Sequence, residues 1–457
     1  MNRTKFVLSS LVIAASMILA ACGGAAPAAT TAPAAPAAAT EAPAAAEATA
    51  APDAAAATEA PAAPAEGATA EPTAEPATVF GSGDRKVVIW HGWDGEYRKA
   101  LEKIFADYAT KNGITVELLK VAEIGNKVSV AVPTGQGPDI IAWVDDQIGK
   151  NVLAEAIQPL NDLGVDEAYL KANFTDVAAT AMVYDGKVYG IPESLEALTM
   201  ICNNALIKSD QLPKTTDDLI AQAKTYNAAP DKYLFVYNAK NDAYFSAPWW
   251  QGAGVTLVTP EGTTELASEN GIKAANLIKS FTEIMPKDID YGVADTLFKD
   301  GKSACIMNGP WSIADYIGAG IDVSLTPLPI VSSSGQPAKP FVGVKMLMLA
   351  NKAKNAADAV EVMKYYGTTE VQVALAKVNK QVPANTAAQE QVKTDPIIAG
   401  FIAQAANGTP LPNTEFIDAM WDPTAKTVEA IWTGASTPEQ AVKDGADLFA
   451  EKVQDLK

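Results

Sequence analysis

A segment rich in alanine, proline, threonine and glutamate occupies residues 23–78 and limits where this chain can fold. The segment contains no lysine, no arginine and no aromatic residue. Such a composition cannot bury enough apolar surface to offset the entropy lost on ordering. Its recurrent prolines disfavour a continuous helix, because each proline clashes with the preceding turn. We therefore predict a disordered tether here and a folded part within residues 79–457.

The folded part is long enough for two domains of about 100–200 residues each. The whole chain has 54 acidic residues against 35 lysines and arginines, a formal net charge of -19. This acidity argues against nucleic acid as a partner, because phosphate contacts require clustered lysine and arginine. After the N-terminal residues, no apolar run reaches the length of a transmembrane helix.

Scarce residue types narrow the chemistry further. His91 is the only histidine, which argues against a histidine-rich metal site or a Ser-His-Asp triad, and we expect neither a metal nor a cofactor. We expect His91 to be a structural or rim residue. Beyond residue 22 only Arg85 and Arg98 carry guanidinium groups, which favours a neutral ligand over an anionic one. Cys202 and Cys305 can form a disulfide or remain thiols, and the sequence leaves both open.

Hydrophobic periodicity predicts an α/β fold. Residues 86–90 have the pattern of a buried strand, residues 96–111 that of an amphipathic helix, and residues 114–119 that of a second strand. A strand, a helix and a strand within about 35 residues form a βαβ unit. We predict further strands and helices at the following positions: strands at 138–144 and 187–192, and helices at 217–227, 271–285, 355–366 and 368–377.

The N-terminal residues have the pattern of a secretory signal. Arg3 and Lys5 precede an apolar run over residues 6–19, which is too short to span a bilayer. The string Leu19-Ala20-Ala21-Cys22 resembles the lipobox of bacterial lipoproteins. This resemblance implies that Cys22 is lipidated and that the protein is extracytoplasmic, anchored to the cell membrane. An ordinary signal followed by a chance cysteine is the alternative.

Strings downstream resemble the maltose- and maltodextrin-binding proteins, the sugar-capturing subunits of ABC importers. The matches keep the family order and extend from residue 86 to the C-terminus. They are Val88-Ile89-Trp90 with Asp94, Gly135-Gln136-Gly137-Pro138-Asp139-Ile140-Ile141-Ala142-Trp143 with Asp146, Pro192 with Glu196-Ala197-Leu198, Asn308-Gly309-Pro310-Trp311, Lys339-Pro340-Phe341-Val342-Gly343-Val344, and Leu411-Pro412-Asn413 with Trp421. Gly-Pro-Asp-Ile alone is a weak signal, whereas the ordered set is specific.

The resemblance implies a site that binds carbohydrate reversibly and catalyses no reaction. Aromatic rings stack on the C–H faces of a pyranose, and carboxylates accept hydrogen bonds from its hydroxyls. The residues that match the family's stacking rings are Trp143, Trp311 and Trp421. Those that match its carboxylates are Asp94, Asp146 and Glu196. Tyr244 and Asp242 fall in a segment resembling Glu-Pro-Tyr-Phe, with Asp242 in place of the glutamate, and Trp93 is a further candidate.

Several other positions bear on this site. We expect Trp249 and Trp250 to be core or rim residues, and Asp139 to brace a turn. Glu196 has apolar neighbours and would be an unpaired buried charge in a core, so we expect a ligand or hinge role for it. The family's cationic residues are replaced at three positions, by Gly95, Gln147 and Ala425, which leaves the preferred chain length open.

The resemblance also implies a type II, maltose-binding-protein-like fold of two lobes. The predicted segments are a signal peptide at 1–21, a lipidated cysteine and linker at 22–83, an N-terminal lobe at 84–194 and 342–390, and a C-terminal lobe at 195–341 and 391–457. A ligand that contacts both lobes closes the hinge between them. The closed form, expected to be a monomer, then docks on a membrane permease.

Two alternatives to maltodextrin binding stay open at this point. The same fold can serve another neutral disaccharide or oligosaccharide, for example trehalose. A secreted glycosidase, which we favour less, would use Asp94 and Glu196 as its two facing carboxylates.

Overall fold

The structure is a computed structural model that describes residues 76–122 and 124–456. The predicted signal peptide 1–21, the lipidation site Cys22 and the linker up to residue 75 lie outside the described residues. The predicted linker extends too far at its C-terminal end, because Thr78–Phe80 forms a strand on the edge of a sheet. Val79 and Phe80 supply the β-forming apolar residues that residues 23–78 lack. Among the described residues, no helix combines the length and apolarity needed to cross a membrane.

Strands and helices alternate through most of the described chain. The strands are β1 Thr78–Phe80, β2 Lys86–His91, β3 Thr115–Lys120, β4 Ile140–Val144, β5 Val183–Tyr184, β6 Lys187–Val188, β7 Gly190–Ala197, β8 Thr199–Asn203, β9 Tyr233–Val236, β10 Ser303–Asn308, β11 Val323–Thr326, β12 Ile330–Val331, β13 Gln336–Pro337, β14 Phe341–Leu349, β15 Val382–Pro383 and β16 Thr409–Pro410.

The helices cover both the connections between strands and the C-terminal part. They are α1 Gly95–Asn112, α2 Ile124–Ala131, α3 Ile148–Leu153, α4 Glu167–Asn173, α5 Asp176–Ala181, α6 Thr216–Tyr226, α7 Ala243–Gly252, α8 Glu269–Phe281, α9 Tyr291–Lys299, α10 Ile313–Gly318, α11 Ala356–Tyr366, α12 Thr369–Asn379, α13 Thr386–Val392, α14 Pro396–Ala405, α15 Ile417–Thr433 and α16 Pro438–Leu456. Short 3-10 turns include Asp145–Gln147 and Pro310–Ser312.

The first sheet has the strand order β1-β3-β2-β4-β14-β7-β15, and β16 pairs with β14. Strand β2 is parallel to β3 and to β4, which confirms the predicted βαβ unit. Its helix α1 is capped at the N-terminus by Asp94, whose side chain accepts the Gly95 amide, and at the C-terminus by Gly113, which has a φ of +60°. A left-handed residue at a helix end favours glycine, because glycine has no Cβ to clash in this conformation.

The second sheet has the order β11-β8-β10-β9 and is built from residues between 199 and 326. Cys202 on β8 and Cys305 on β10 are register partners, and they form a disulfide. This resolves the alternative that the sequence left open. The chain passes from β7 in the first sheet to β8 in the second across the single residue Leu198, so the two sheets are directly connected here.

Several predicted structural roles are confirmed. Trp249 and Trp250 are fully buried. Asp139 accepts the Val88 amide at 2.9 Å and the Lys354 amide at 2.7 Å, so it braces the start of β4. His91 is buried, accepts the Trp93 amide at 3.1 Å through Nδ1, and stacks on the Trp93 ring at 4.6 Å.

Candidate functional site

Two adjoining cavities lie where elements of the two sheets meet. The first cavity has a volume of about 320 Å³, and the second about 310 Å³. Trp143, Val144 and Trp311 line both of them. The cavities therefore form one cleft, in which Trp143 and Trp311 stand at the junction.

Residues distant in the sequence line each cavity. The first cavity is lined by the ends of β2 and β4, by β14 and by the end of α12, including Trp93, Asp94, Tyr97, Glu193, Lys345 and Asn379. The second cavity is lined by residues that include Asp146, Glu196, Tyr244, Gly343, Leu411 and Trp421. Eight of the nine predicted ligand-binding residues are among the residues lining this cleft.

Ring contacts connect three aromatic residues of the second cavity, Trp311, Tyr244 and Trp421, the last two through the buried Phe341. The ring centroids of Trp311 and Tyr244 are 6.3 Å apart, those of Tyr244 and Phe341 6.5 Å, and those of Phe341 and Trp421 6.1 Å. The Trp311 indole donates from Nε1 to the Tyr291 hydroxyl at 3.2 Å. It lies directly over Gly309, where an added Cβ would be 2.1 Å from the indole ring. Glycine at this position therefore permits the ring to occupy its place in the cleft.

Asp146 presents a buried carboxylate to the second cavity. Its side chain accepts a hydrogen bond from Gln147 Nε2 at 3.1 Å. Burial is the main cause that raises the pKa of Asp146 to about 7, Asp418 raises the pKa further, and Lys150 opposes the increase. The preceding residue, Asp145, accepts the Val344 amide at 2.8 Å and so ties this turn to β14. The protonation of Asp146 therefore changes close to neutral pH.

Glu196 has a partner that the sequence analysis missed. Lys345 Nζ lies 2.6 Å from Glu196 Oε1, so burial does not leave this carboxylate unpaired. The two residues are on neighbouring antiparallel strands, β7 and β14. Lys345 places an ammonium in the cleft, although three cationic positions of the resembled family are lost. The sequence did contain a signal for Lys345, because it is the single charged residue within the otherwise apolar strand β14.

Glu193 is a second charged residue that the sequence analysis missed. It is buried and lines the first cavity. Its carboxylate accepts hydrogen bonds from the hydroxyls of Tyr97 and Tyr366 and from Gln381 Nε2, the last at 3.0 Å. Burial raises the pKa of Glu193, while Lys345, Tyr366 and Gln381 oppose the increase. The carboxylate is thus held in place by the fold itself.

Asp94 and Trp93 lie at the margin of the first cavity. The Asp94 side chain is 75% exposed and forms an ion pair with Lys120 at 2.6 Å, which is the main cause that lowers its pKa. Trp93 is mostly buried, with its ring centroid 5.9 Å from that of Phe105. Each has a structural role besides its position at the cavity.

Asp242 differs from the other predicted site residues. It accepts the Phe245 amide at 2.7 Å and Asn238 Nδ2 at 2.8 Å, so it caps the N-terminus of α7. It is not among the described residues that line either cavity. Its capping bonds account for this aspartate, and they position α7 and hence Tyr244. Within residues 76–122 and 124–456, no group of three or more His, Cys, Asp or Glu residues is arranged to hold a metal ion.

Comparison with known proteins identifies a family over most of the chain. The profile of the family described as bacterial extracellular solute-binding protein matches residues 103–400. A maltotriose-binding protein of Pyrococcus abyssi (strain GE5 / Orsay) is 29% identical over 350 residues, covering 74% of this chain and 76% of that protein.

Two further relatives differ in the sugar in their names. A maltooligosaccharide ABC transporter solute-binding lipoprotein of Streptococcus pneumoniae (strain ATCC BAA-255 / R6) is 26% identical, covering 84% of this chain and 92% of the relative. A galactooligosaccharide-binding protein of Bacillus subtilis (strain 168) is 24% identical, and the match covers 79% of this chain and 88% of the relative.

Solved structures show the same relationship. A cyclo/maltodextrin-binding protein in complex with maltotetraose is similar with a TM-score of 0.72 and 30% identity, covering 82% of this chain and 99% of that one.

Proposed function

Because the chain belongs to the family of bacterial extracellular solute-binding proteins, we propose that its cleft binds a neutral oligosaccharide of the maltodextrin type. Its fold is the predicted two-lobed α/β fold of maltose-binding-protein-like solute-binding proteins. The single observation that carries the proposal is the convergence of Trp143, Trp311 and Trp421 with buried carboxylates in one cleft. The relatives named for maltotriose and maltooligosaccharides support this ligand class.

The chemistry of the second cavity fits a pyranose. Its indole and phenol rings offer flat apolar surfaces for the C–H faces of the sugar. Asp146 and Glu196 offer acceptors for the hydroxyls, and charge-assisted hydrogen bonds are stronger than neutral ones. We assign ligand contacts to Trp143, Trp311, Trp421, Tyr244, Asp146 and Glu196, with Asp94 and Trp93 at the margin of the first cavity. Asp242 then acts through α7 and not by direct contact.

The protein delivers its ligand as the substrate-binding subunit of an ABC importer. Trp143 lies in β4 of the first sheet and Asp146 in the turn that follows it, whereas Tyr244 and Trp311 belong to elements around the second sheet. A ligand held by both sets stabilises a closed form by hinge motion. We propose that this form, as a monomer, docks on the membrane permease. We also propose a lipid anchor at Cys22, which the lipobox pattern supports and the name of the pneumococcal relative parallels.

The chief rival is another neutral disaccharide or oligosaccharide in the same cleft. The relative named for galactooligosaccharides supports this second candidate ligand class. The glycosidase alternative is not supported, because the family consists of solute-binding proteins and not enzymes. In addition, the two nominated carboxylates, Asp94 and Glu196, are each in an ion pair with a lysine.

A thermal-shift panel separates these ligands. A ligand that binds only the folded state stabilises it by about 2.7 kcal/mol at a concentration 100 times its Kd. We expect maltotriose and maltotetraose to raise the melting temperature of the purified protein, and trehalose and a β-galactooligosaccharide to raise it less. A larger increase with either of the latter two would reassign the ligand.

Affinity for maltotriose is expected to increase as the pH rises through about 7, because the pKa of Asp146 is raised to about 7. Below this pH the carboxyl of Asp146 is protonated in the free protein. A sugar hydroxyl that donates to the ionised carboxylate can bind only after this proton is lost, and the loss weakens binding. The affinity then changes by at most about tenfold per pH unit, and it levels off above the pKa. Calorimetric titration between about pH 5.5 and pH 8.5 measures this dependence. In Asp146→Asn the increase should be absent; an equal increase in both proteins would contradict the assignment.

A further inference from the structure

The ion pair between Lys345 and Glu196 lies at the junction of the two cavities. Lys345 lines the first cavity and Glu196 lines the second, while their charged atoms are 2.6 Å apart. The side chains are 24% and 11% exposed, respectively. A donor and an acceptor are therefore presented side by side, at a point of the cleft that both cavities reach.

The surroundings keep Lys345 charged and in place. Burial lowers the pKa of Lys345, but Glu196 and Glu193 outweigh this effect and raise it. The ammonium also lies 5.8 Å from the centre of the Tyr97 ring, within the range of a cation–π contact. Glu193 is itself held by Tyr97, Tyr366 and Gln381. The position of Lys345 is thus fixed by residues on several elements of the fold.

We propose that Lys345 determines specificity in this site: its ammonium donates to one hydroxyl of the bound sugar while Glu196 accepts from the adjacent hydroxyl of the same ring. This inference rests on the proposed function. An ammonium has three N–H donors and no acceptor, an ionised carboxylate accepts only, and each sugar hydroxyl can do both. Two neighbouring hydroxyls therefore complement the pair without disturbing its overall neutral charge.

The Lys345–Glu196 pair discriminates between sugars, because a sugar that lacks one of the two hydroxyls leaves Lys345 or Glu196 without a hydrogen-bond partner. A site built to hydrogen-bond a hydroxyl rejects an analogue that lacks it, because the buried polar group is then left unsatisfied. Lys345 should impose this cost at one hydroxyl position of the ligand, and Glu196 should impose it at the neighbouring position. Substitution of a residue with a purely structural role would weaken the binding of all analogues alike.

The test uses methyl maltosides that each lack one hydroxyl, titrated by calorimetry into the purified wild-type protein and its variants. Lys345→Met removes the charge while keeping a side chain of similar volume. We expect it to lower the affinity for methyl maltoside by about tenfold or more. It should also abolish discrimination against one deoxy analogue, whereas Glu196→Met, which removes the acceptor oxygens, should abolish discrimination at the adjacent position. Lys345→Arg should retain part of the affinity.

Lys299→Met is the matched control. Lys299 pairs with Asp295 at 2.8 Å and lies 5.9 Å from the Tyr316 ring, so it has the same kinds of contacts away from both cavities. Its affinity should remain within about twofold of wild type. If Lys345→Met binds every analogue as wild type does, or weakens all of them equally, the role of Lys345 is refuted and the proposed function stands. If the wild-type protein binds no maltoside, both fail.

Discussion

Replacing Trp311 with alanine is expected to weaken maltotriose binding by about 1–3 kcal/mol, a range taken by analogy from aromatic stacking on nucleobases. Trp311 lines both cavities, so its ring is available to sugars on either side of the junction. Its orientation is set by the Tyr291 hydroxyl and by the space over Gly309. Calorimetric titration of the variant and of wild type measures the difference.

Two variants control for other effects of this substitution. Trp311→Phe keeps a ring and should lose less affinity than Trp311→Ala. Trp250→Phe changes a fully buried tryptophan that lines neither cavity among the described residues. It should lower the free energy of unfolding and leave the affinity unchanged. An affinity of Trp311→Ala within about twofold of wild type would assign this ring to packing and not to the ligand.

Removing the Cys202–Cys305 disulfide is expected to lower the free energy of unfolding by about 2–4 kcal/mol. The two residues are separated by 103 positions in the sequence, so the bond restricts a long loop of the unfolded chain. Both cysteines are buried on adjacent strands of the second sheet. Equilibrium denaturation of the double variant Cys202→Ala/Cys305→Ala measures the loss.

Reduction provides an independent check on that result. Wild-type protein unfolded in the presence of dithiothreitol should approach the midpoint of the double variant, while the variant itself should not respond to the reductant. Maltotriose affinity should be retained, because neither cysteine is among the residues lining the cleft. Equal unfolding midpoints for oxidised wild type and the variant would mean that the bond adds nothing to stability.

Local patterns in the sequence were sufficient to predict which tryptophans line the cleft. Trp143 ends an apolar strand, and Trp311 follows a Gly-Pro turn, so each could be placed at the end of an element. The Asp242 cap also had a local signal, since an aspartate commonly accepts the amide of the third residue of the following helix. Giving weight to that spacing would have separated Asp242 from the residues that line the cleft.

The charged part of the site depends on non-local pairing. Glu196 and Lys345 meet only because β14 inserts between β4 and β7, and no periodicity in one strand reveals its neighbour. The same reason prevented the sequence from deciding between thiols and a disulfide, which follows from the register of β8 and β10. Sheet order is set by tertiary packing, and it therefore had to be observed.

Titration of the purified protein with maltotriose, followed by intrinsic tryptophan fluorescence, tests the central claim most directly. Trp143, Trp311 and Trp421 all border the cleft, so a bound sugar should change their emission. We predict a saturable change that is reduced in Trp311→Ala, and a titration with glucuronic acid, an anionic sugar, that gives no change. The absence of any response to maltotriose or maltotetraose up to millimolar concentrations would contradict the assignment of this cleft to maltodextrins.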